Sequence, residues 1–338
     1  MSENVLIITN SADLHADIMV SLLRDKGVHP FRINLDAFPR DFEINKEIHQ
    51  NQFRASIRHI PSSTEVDFKD IGAVWTRKPA DFTFLSEDLI NQEKAYADQE
   101  TDHVLNSLLY SLDCYWMNHP LAVRSALWKG EQSIRAAKMG FKIPMSLITN
   151  KPESVRQFVE EVKDEVIFKA MSSPFLGAEK VAEDEQVVTG LGTTIVTEDH
   201  MQNVASVKEV PCYFQEYIAK KFELRVTIIG EHVFAAKIDS QQSELTRIDF
   251  RDFSAEIQYE PFDLTDEMKV RCRDFVHSYD LQYGAMDIIV TPEDEYVFLE
   301  NNPGGEFLFV QQLVPEFNMM ETLADYLIKG AKCYSSKN

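Results

Sequence analysis

The first third of the chain alternates continuous apolar runs with segments of helical periodicity. Residues 5–9 are apolar almost throughout, which is typical of a strand buried on both faces of a parallel sheet. Apolar residues recur at helical spacing over 14–22, with Ser11 as a candidate N-cap and Gly27 as a typical residue after a helix. A second strand is predicted to begin at Phe31. The pattern predicts a β-α-β unit, and it lacks the G-x-G-x-x-G fingerprint of dinucleotide binding.

The rest of the chain mixes strands and helices in separable blocks, which predicts α/β and α+β domains. Further strands are predicted over 53–60, 73–76, 166–170, 194–197, 212–218, 224–229 and 232–237, and helices over 104–112, 127–138, 153–162, 265–279 and 320–332. The tripeptide Asn118-His119-Pro120 interrupts the first block. We therefore expect an N-terminal α/β domain at 1–118, a central α+β domain at 119–210 and a C-terminal domain at 211–338.

Residues 283–305 contain two strand-like runs around a polar turn near Glu293, which is a hairpin pattern. In such a hairpin Asp287 lies opposite Glu300, and Asn302 shares the face of Glu300. Two facing carboxylates repel, and a divalent cation between them would remove that cost. Asp, Glu and Asn oxygens suit Mg²⁺, which usually shares its coordination shell with substrate phosphates. The hairpin predicts a metal–nucleotide site, with a solvated acidic hairpin as the equally plausible alternative.

The charge balance restricts the partners of this chain. It has 34 Lys and Arg against 55 Asp and Glu, and the formal net charge of −21 opposes binding to nucleic acid or to anionic membranes. An anionic substrate must therefore meet a local basic cluster. Four separated cysteines, the lack of a basic signal-peptide start and the lack of a membrane-length apolar run indicate a cytoplasmic protein.

Several basic residues are candidates for that cluster. Lys169 ends the strand V-I-F-K-A and could contact phosphate, although a strand-end lysine often extends into solvent. Lys129 taken alone is an ordinary surface lysine. Arg225, at the start of a predicted hairpin, could bind carboxylate or phosphate together with Arg247 and Arg251. Surface salt bridges to nearby acidic residues are the alternative.

The order of these features resembles the ATP-grasp superfamily. It runs from a lysine on a strand through the segment Q-E-Y, an acidic residue, an arginine on a hairpin and an Asp on a strand to E-x-N on the next strand. In that family two α+β subdomains clamp ATP. The resemblance covers about 119–330, and the first block looks like the N-terminal α/β domain of the family. The implied fold is an ATP-grasp fold with an N-terminal α/β domain, and the implied cofactors are ATP and Mg²⁺.

The resemblance also implies roles for the residues that match. The implied roles are phosphate contacts for Lys129 and Lys169, an adenine hinge at Glu216 and Tyr217, ribose binding by Glu223, and Mg²⁺ ligation by Asp287, Glu300 and Asn302. The candidate phosphate loop, Ser172 to Gly177, departs from the family because it contains little glycine.

Two segments are more specifically similar to the microviridin-type, or graspetide, ATP-grasp ligases. They are 234–251, F-A-A-K-I-D-S-Q-Q-S-E-L-T-R-I-D-F-R, and 301–308, N-N-P-G-G-E-F-L. The likeness implies phosphorylation of an Asp or Glu side-chain carboxylate in a ribosomal precursor peptide. A Thr or Ser hydroxyl then attacks to give an ester, or a Lys amine attacks to give an amide, so that a macrocycle forms. The implied partner is a peptide with a leader and a Thr/Glu-rich core, its leader docked near 194–210, and the implied assembly is a homodimer.

This chemistry suggests further roles. Arg225 or Arg247 could hold the carboxylate and stabilise the tetrahedral oxyanion, Arg251 is a further candidate substrate contact, and Asp239 is the candidate base for a hydroxyl nucleophile. For Asp239 a simple turn role is at least as plausible. Segments 171–180 and 240–252 are expected to close over the site, because water would hydrolyse an acyl phosphate.

Two other functions remain open at this point. One is an ATP-grasp ligase that adds amino acids to a peptide or protein tail, like the ribosomal-protein glutamate ligase. The other, from a different class, is a non-catalytic nucleotide- or peptide-binding module, which would not need all three of Asp287, Glu300 and Asn302.

Overall fold

The computed structural model describes residues 4–50, 52–78, 80–163, 165–172, 192–244, 246–248, 250 and 257–335. Its N-terminal part contains, in chain order, β1 (Asn4–Thr9), α1 (Leu14–Asp25), β2 (His29–Asn34), β3 (Phe42–His49), β4 (Gln52–His59), β5 (Thr64–Asp67), β6 (Ile71–Thr76), α2 (Asn91–Leu109) and β7 (Tyr115–Trp116). Strands β2, β1, β6 and β7 form one sheet in that order, and β3, β4 and β5 form a second, antiparallel sheet.

The predicted β-α-β opening is confirmed, since β1 pairs in parallel with both β2 and β6. Asp13, rather than the predicted Ser11, caps α1 by accepting a hydrogen bond from the amide of His15. The amide of Ser11 instead donates to the carboxylate of Asp36. Gly27 follows the helix with a φ of +77°, a conformation that glycine adopts without a steric cost.

The remainder of the chain continues with helices and strands in a different order. The central part contains α3 (Pro120–Ser125), α4 (Lys129–Lys138), β8 (Ser146–Thr149), α5 (Pro152–Glu161), β9 (Val166–Lys169), β10 (Thr194–Ile195), α6 (Glu198–Gln202) and β11 (Cys212–Glu216). The C-terminal part contains β12 (Phe222–Ile229), β13 (His232–Ile238), β14 (Tyr259–Pro261), α7 (Asp266–His277), β15 (Tyr283–Val290), β16 (Tyr296–Asn302), α8 (Leu308–Leu313) and α9 (Met319–Ser335).

Strand β11 belongs to the central sheet, whose order is β10-β9-β11-β8. It pairs with β8 and with β9, so the central sheet extends to Glu216, and the domain boundary at 210/211 stays a prediction. Helix α9 returns to the N-terminal part, where Ala331 packs so close to Gly72 that a Cβ at Gly72 would lie 2.9 Å from that of Ala331. No helix within the described ranges is both long and apolar enough to cross a bilayer.

The C-terminal sheet, of order β14-β13-β12-β15-β16, is buried on both faces. One face carries Leu224 and Ile288 into a core that includes Phe275 of α7. The other face carries Ala236 and Ala285 into a core shared with the N-terminal sheet and α9. Polar side chains interrupt this second face. Burying a polar group costs free energy unless a partner compensates for it, so these side chains mark the candidate site.

Candidate active site

The acidic hairpin forms with the predicted register. Asp287 of β15 lies opposite Glu300 of β16, and Ala285 lies opposite Asn302, with an irregularity after Asp287. On its other side Asp287 lies opposite Arg225 of β12. Directly paired residues share a face of a sheet. Arg225, Asp287 and Glu300 therefore form a row across three neighbouring strands.

Each carboxylate of this row is held by a cation. The Nη1 atom of Arg225 donates to Asp287 Oδ1 over 2.7 Å, and Lys129 Nζ of α4 lies 3.1 Å from Glu300 Oε2. Burial alone would lower the pKa of Arg225, but the adjacent charge of Asp287 outweighs it and keeps the pKa above its usual value. Arg225 and Lys129 thus offset the repulsion that a divalent cation was predicted to remove.

The row, together with Asn302, offers donor chemistry that suits a hard cation. The carboxylates of Asp287 and Glu300 and the amide oxygen of Asn302 are of the kinds that Mg²⁺ takes as ligands alongside phosphate oxygens. Among the described residues no group of three or more His, Cys, Asp or Glu side chains could hold a metal. Asn302, on the same strand as Glu300, offers a further oxygen, and its Oδ1 accepts a hydrogen bond from the amide of Gly304 over 3.1 Å.

Of the two lysines predicted to contact phosphate, Lys129 contacts Glu300 of this hairpin, and Lys169 lies on the central sheet. Lys129 Nζ donates to the carbonyl of Ala170 over 3.2 Å, next to Lys169 at the end of β9. Lys169 Nζ donates to Gln215 Oε1 of β11 over 2.9 Å. Lys129 therefore connects the end of the central sheet to Glu300, whereas the bond from Lys169 to Gln215 stays within the central sheet.

The predicted adenine hinge lies at the end of β11, the strand that pairs with β9, which carries Lys169. Lys169 pairs with Tyr213, so Glu216 lies three residues further along, about 10 Å away at the rise of a strand. The amide of Glu216 donates to Met145 O and that of Tyr217 to Glu165 O, over 2.9 and 2.7 Å. An adenine at this hinge must therefore use other groups or displace these contacts.

Glu223, predicted to bind ribose, is buried against Lys220. Lys220 Nζ lies 3.0 Å from Glu223 Oε1 and 2.8 Å from Ile248 O. Burial raises the pKa of the Glu223 carboxyl, and the charge of Lys220 opposes that rise. Lys220 occupies one acceptor oxygen of this carboxylate, so a ribose hydroxyl would bind the other oxygen or share the first with Lys220.

Two of the remaining candidates, Arg247 and Asp239, pair with residues close to them in the chain. Arg247 Nη1 lies 3.4 Å from Glu244 in an exposed pair. Asp239 lies 3.1 Å from Lys237, whose cross-strand partner Leu224 points into the core on the α7 side, opposite Arg225. The role of Asp239 as the base therefore stays a prediction, with the turn role as its alternative. Arg251 and residues 173–177 of the phosphate loop lie outside the described residues.

Sequence reasoning missed the side chains that hold the backbone of this site. Gln132 of α4, which is buried, donates to the carbonyl of Asn301 over 2.9 Å and accepts from its amide over 2.7 Å. Tyr283 donates its hydroxyl to Gly305 O over 2.6 Å. Gln132 lies three residues after Lys129 and therefore shares its helix face. This spacing was the one signal in the sequence that could have identified Gln132.

We expect Gln132→Leu to lower the free energy of unfolding by about 1–3 kcal/mol, because it leaves two buried backbone groups of Asn301 without partners. Nucleotide binding should weaken as well, since Glu300 and Asn302 flank that residue. Urea denaturation and calorimetric titration with Mg-ADP would measure the two effects. The control is Gln311→Leu, which removes a comparable bond to the amide of Met320 and should leave nucleotide binding unchanged.

Comparisons with known proteins agree with this geometry. The family model of the MvdD pre-ATP grasp domain matches residues 4–124. A RiPP-associated ATP-grasp ligase from Chryseobacterium gregarium, solved with ADP and a leader and core peptide, is 29% identical with a TM-score of 0.87, covering 97% of each chain. The macrocyclase MdnC from Microcystis aeruginosa MRC, bound with the precursor peptide MdnA, is 28% identical with a TM-score of 0.85, covering 96% of this chain and 99% of MdnC. No curated protein matches the chain.

The predicted ATP-grasp fold and enzyme class are thereby confirmed, and the chain is an ATP-grasp carboxylate ligase. Its resemblance to the graspetide-type ligases is confirmed as well, since macrocyclase MdnB of the same Microcystis strain also matches over 96% of this chain, at 25% identity and a TM-score of 0.78.

Proposed function

We propose that this ligase activates Asp or Glu side-chain carboxylates of a ribosomal precursor peptide as acyl phosphates and joins them to hydroxyl or amine side chains of the same peptide. The observation that carries the proposal is the row of Arg225, Asp287 and Glu300 with Lys129, in a chain similar over nearly its full length to peptide-bound ligases. The products are macrocycles closed by esters to Thr or Ser, or by amides to Lys.

Bound Mg-ATP would supply the phosphoryl group and neutralise its oxygens, with Asp287, Glu300 and Asn302 as the metal ligands. The guanidinium of Arg225 is held beside Asp287. From there it can bind the anionic carboxylate of the substrate and then stabilise the tetrahedral oxyanion. Lys129 and Lys169 supply positive charge for phosphate from the central sheet. The residues thus act by positioning and electrostatics, as phosphoryl transfer requires.

A flexible peptide core needs a second attachment point, which raises its local concentration at the site. We propose that the leader docks on the central domain, close to the predicted region 194–210. Within that region Val204 and Val207 are buried, whereas Val210 is 60% exposed. Val210 precedes β11, whose Cys212 pairs with Thr149 of the edge strand β8, and β8 also exposes Ile148. An exposed strand edge with apolar side chains is suited to binding an extended or helical leader.

The partner peptide of this proposal has a Thr/Glu-rich core, and the enzyme is a cytoplasmic homodimer. The described cysteines form no disulfide with one another, and burial raises the pKa values of the Cys114 and Cys272 thiols to about 12. Such inert thiols agree with a reducing compartment.

The proposal predicts the mass change of a peptide. A short Thr- and Glu-rich peptide encoded beside this chain, incubated with the enzyme and Mg-ATP, should lose one water for each ring and release one ADP for each ring. Mass spectrometry measures the product, and hydroxylamine distinguishes esters, which it cleaves, from amides. A mass gain by added amino acids would indicate the tail ligase instead. Nucleotide binding without any ADP release would indicate a non-catalytic module.

A further inference from the structure

A buried histidine of the N-terminal domain contacts the segment that follows the metal hairpin. The Nε2 atom of His15, in the first turn of α1, accepts the amide hydrogens of Phe307 and Leu308 over 3.3 and 3.1 Å. The ring of His15 also packs edge-on against that of Phe307 with 4.9 Å between centroids. One side chain therefore satisfies two backbone amides at the start of α8, which lies 292 residues further along the chain.

The opposite side of the imidazole determines which nitrogen accepts. His15 Nδ1 lies 3.6 Å from Asp13 Oδ1, and Asp13 is itself bound by Thr9 over 2.6 Å and by Arg77 over 3.1 Å. Burial would raise the pKa of Asp13, but the adjacent His15 ring and the hydrogen bonds from Arg77 and Thr9 hold the pKa well below its usual range. A permanent carboxylate beside Nδ1 favours the proton there, so Nε2 keeps the lone pair that the two amides need.

The segment held by His15 contacts the catalytic row directly. The carbonyl of Glu306 accepts from Arg225 Nη2 over 3.2 Å, while Nη1 of the same guanidinium binds Asp287 over 2.7 Å. Gly305 permits this approach, because a Cβ there would lie 2.9 Å from Arg225 Nη2 and 2.8 Å from the Cβ of Ala285. The orientation of Arg225 thus depends on where the backbone of 305–308 lies.

We propose that His15 is a positioning residue of the ligase site, which fixes segment 305–308 so that the carbonyl of Glu306 orients Arg225 beside Asp287. The Asp13–His15 pair acts through the backbone and touches no substrate. The expected effect of His15 on turnover rests on the proposed function. Its effect on the orientation of Arg225 is a property of the folded chain and does not depend on that function.

The structural half is tested on the protein without ligand. His15→Gln keeps an acceptor oxygen close to the position of Nε2, and His15→Leu removes the acceptor. In His15→Leu we expect amide hydrogen exchange at Phe307 and Leu308 to accelerate about tenfold, the size expected for one lost hydrogen bond. The two Nη signals of Arg225 in nitrogen-15 NMR spectra should also merge as the guanidinium begins to rotate. His15→Gln should retain slow exchange and separate signals.

Leu23→Ala serves as the stability control. Leu23 is buried on the same helix, two turns further along, and its truncation leaves the acceptor of His15 in place. It should lower the melting temperature while the Arg225 signals stay separate. Unchanged exchange and unchanged Arg225 signals in His15→Leu would overturn the inference.

The functional half uses Mg-ATP and the neighbouring precursor peptide. His15→Leu should lower kcat for ADP release about tenfold or more with the Kd for Mg-ADP within about threefold, and His15→Gln should restore kcat. A wild-type enzyme that releases no ADP with the peptide would end the proposed function, and the exchange and NMR measurements would still decide the role of His15. An equal loss of kcat in His15→Leu and Leu23→Ala would reduce His15 to a structural residue.

Discussion

Replacing Arg225 by methionine is expected to abolish measurable ligation and to destabilise the protein. Arg225 and Asp287 are both 7% exposed and are joined over 2.7 Å, so the substitution leaves a buried carboxylate without its cation. Breaking such a pair from one side costs about 3–5 kcal/mol. Turnover should fall about 10³-fold, the loss that follows removal of a positioned cation from an oxyanion or phosphoryl site.

The double variant Arg225→Met with Asp287→Asn separates these two effects. It removes both charges, so most of the lost stability should return, because a neutral pair no longer bears the cost of one buried charge. Turnover should stay lost, since both the guanidinium and a metal ligand are gone. Urea denaturation of the four proteins gives the coupling energy of the pair, and ADP release gives the activity. Additive losses of stability would contradict the buried pair.

The elements that local pattern determines could be predicted from the sequence. The pairing nearer the turn in the hairpin of β15 and β16 is shifted by one residue through an irregularity after Asp287, which the sequence did not predict. The hairpin itself and the pair of Asp287 with Glu300 were predictable, because alternation and a polar turn are local signals. The β-α-β opening was predictable for the same reason. Strands β3 and β5 were missed because much of their length is exposed and charged, so they show little hydrophobic alternation.

The contacts that assemble the site could not be predicted in this way. Gln132 reaches the backbone of Asn301 across 169 residues, and His15 reaches Phe307 across 292 residues. Such bonds go to backbone groups, which carry no residue-specific signal in a single sequence. The pairing of Arg225 with Asp287 requires β12 and β15 to be neighbours, which depends on the whole sheet order. Local pattern thus identified the charged groups, and tertiary packing decided which of them meet.

The side chains of Arg225 and Lys129 explain how the folded chain accommodates two facing carboxylates. The sequence predicted that Mg²⁺ would remove the repulsion between Asp287 and Glu300, and in the folded chain Arg225 and Lys129 also offset it. The two sides of the row differ in burial, since the side chain of Glu300 is 23% exposed and that of Asp287 is 10% exposed. Glu300 can therefore exchange Lys129 for a metal at a smaller desolvation cost than Asp287 can exchange Arg225.

This difference makes Glu300→Gln the cleaner test of the metal site. The substitution keeps the size of the side chain and removes one negative charge from a partly exposed pair, so stability should change by no more than about 1 kcal/mol. Loss of a carboxylate ligand should weaken Mg²⁺-dependent binding of ADP at least about 10–100-fold, the range seen even for groups that only support metal ligands. Calorimetric titration of ADP at a series of Mg²⁺ concentrations measures this dependence.

Glu295→Gln is the matched control for that measurement. Glu295 stands at the start of the returning strand of the same hairpin and pairs with Lys142 on the surface, with 48% of its side chain exposed. The two variants change net charge equally, so a general electrostatic effect would weaken ADP binding in both. A site defined by the row predicts a loss in Glu300→Gln alone. If Glu300→Gln binds ADP with the wild-type dependence on Mg²⁺, the hairpin does not hold the metal, and the acidic face is a charged surface neutralised by its own lysine and arginine.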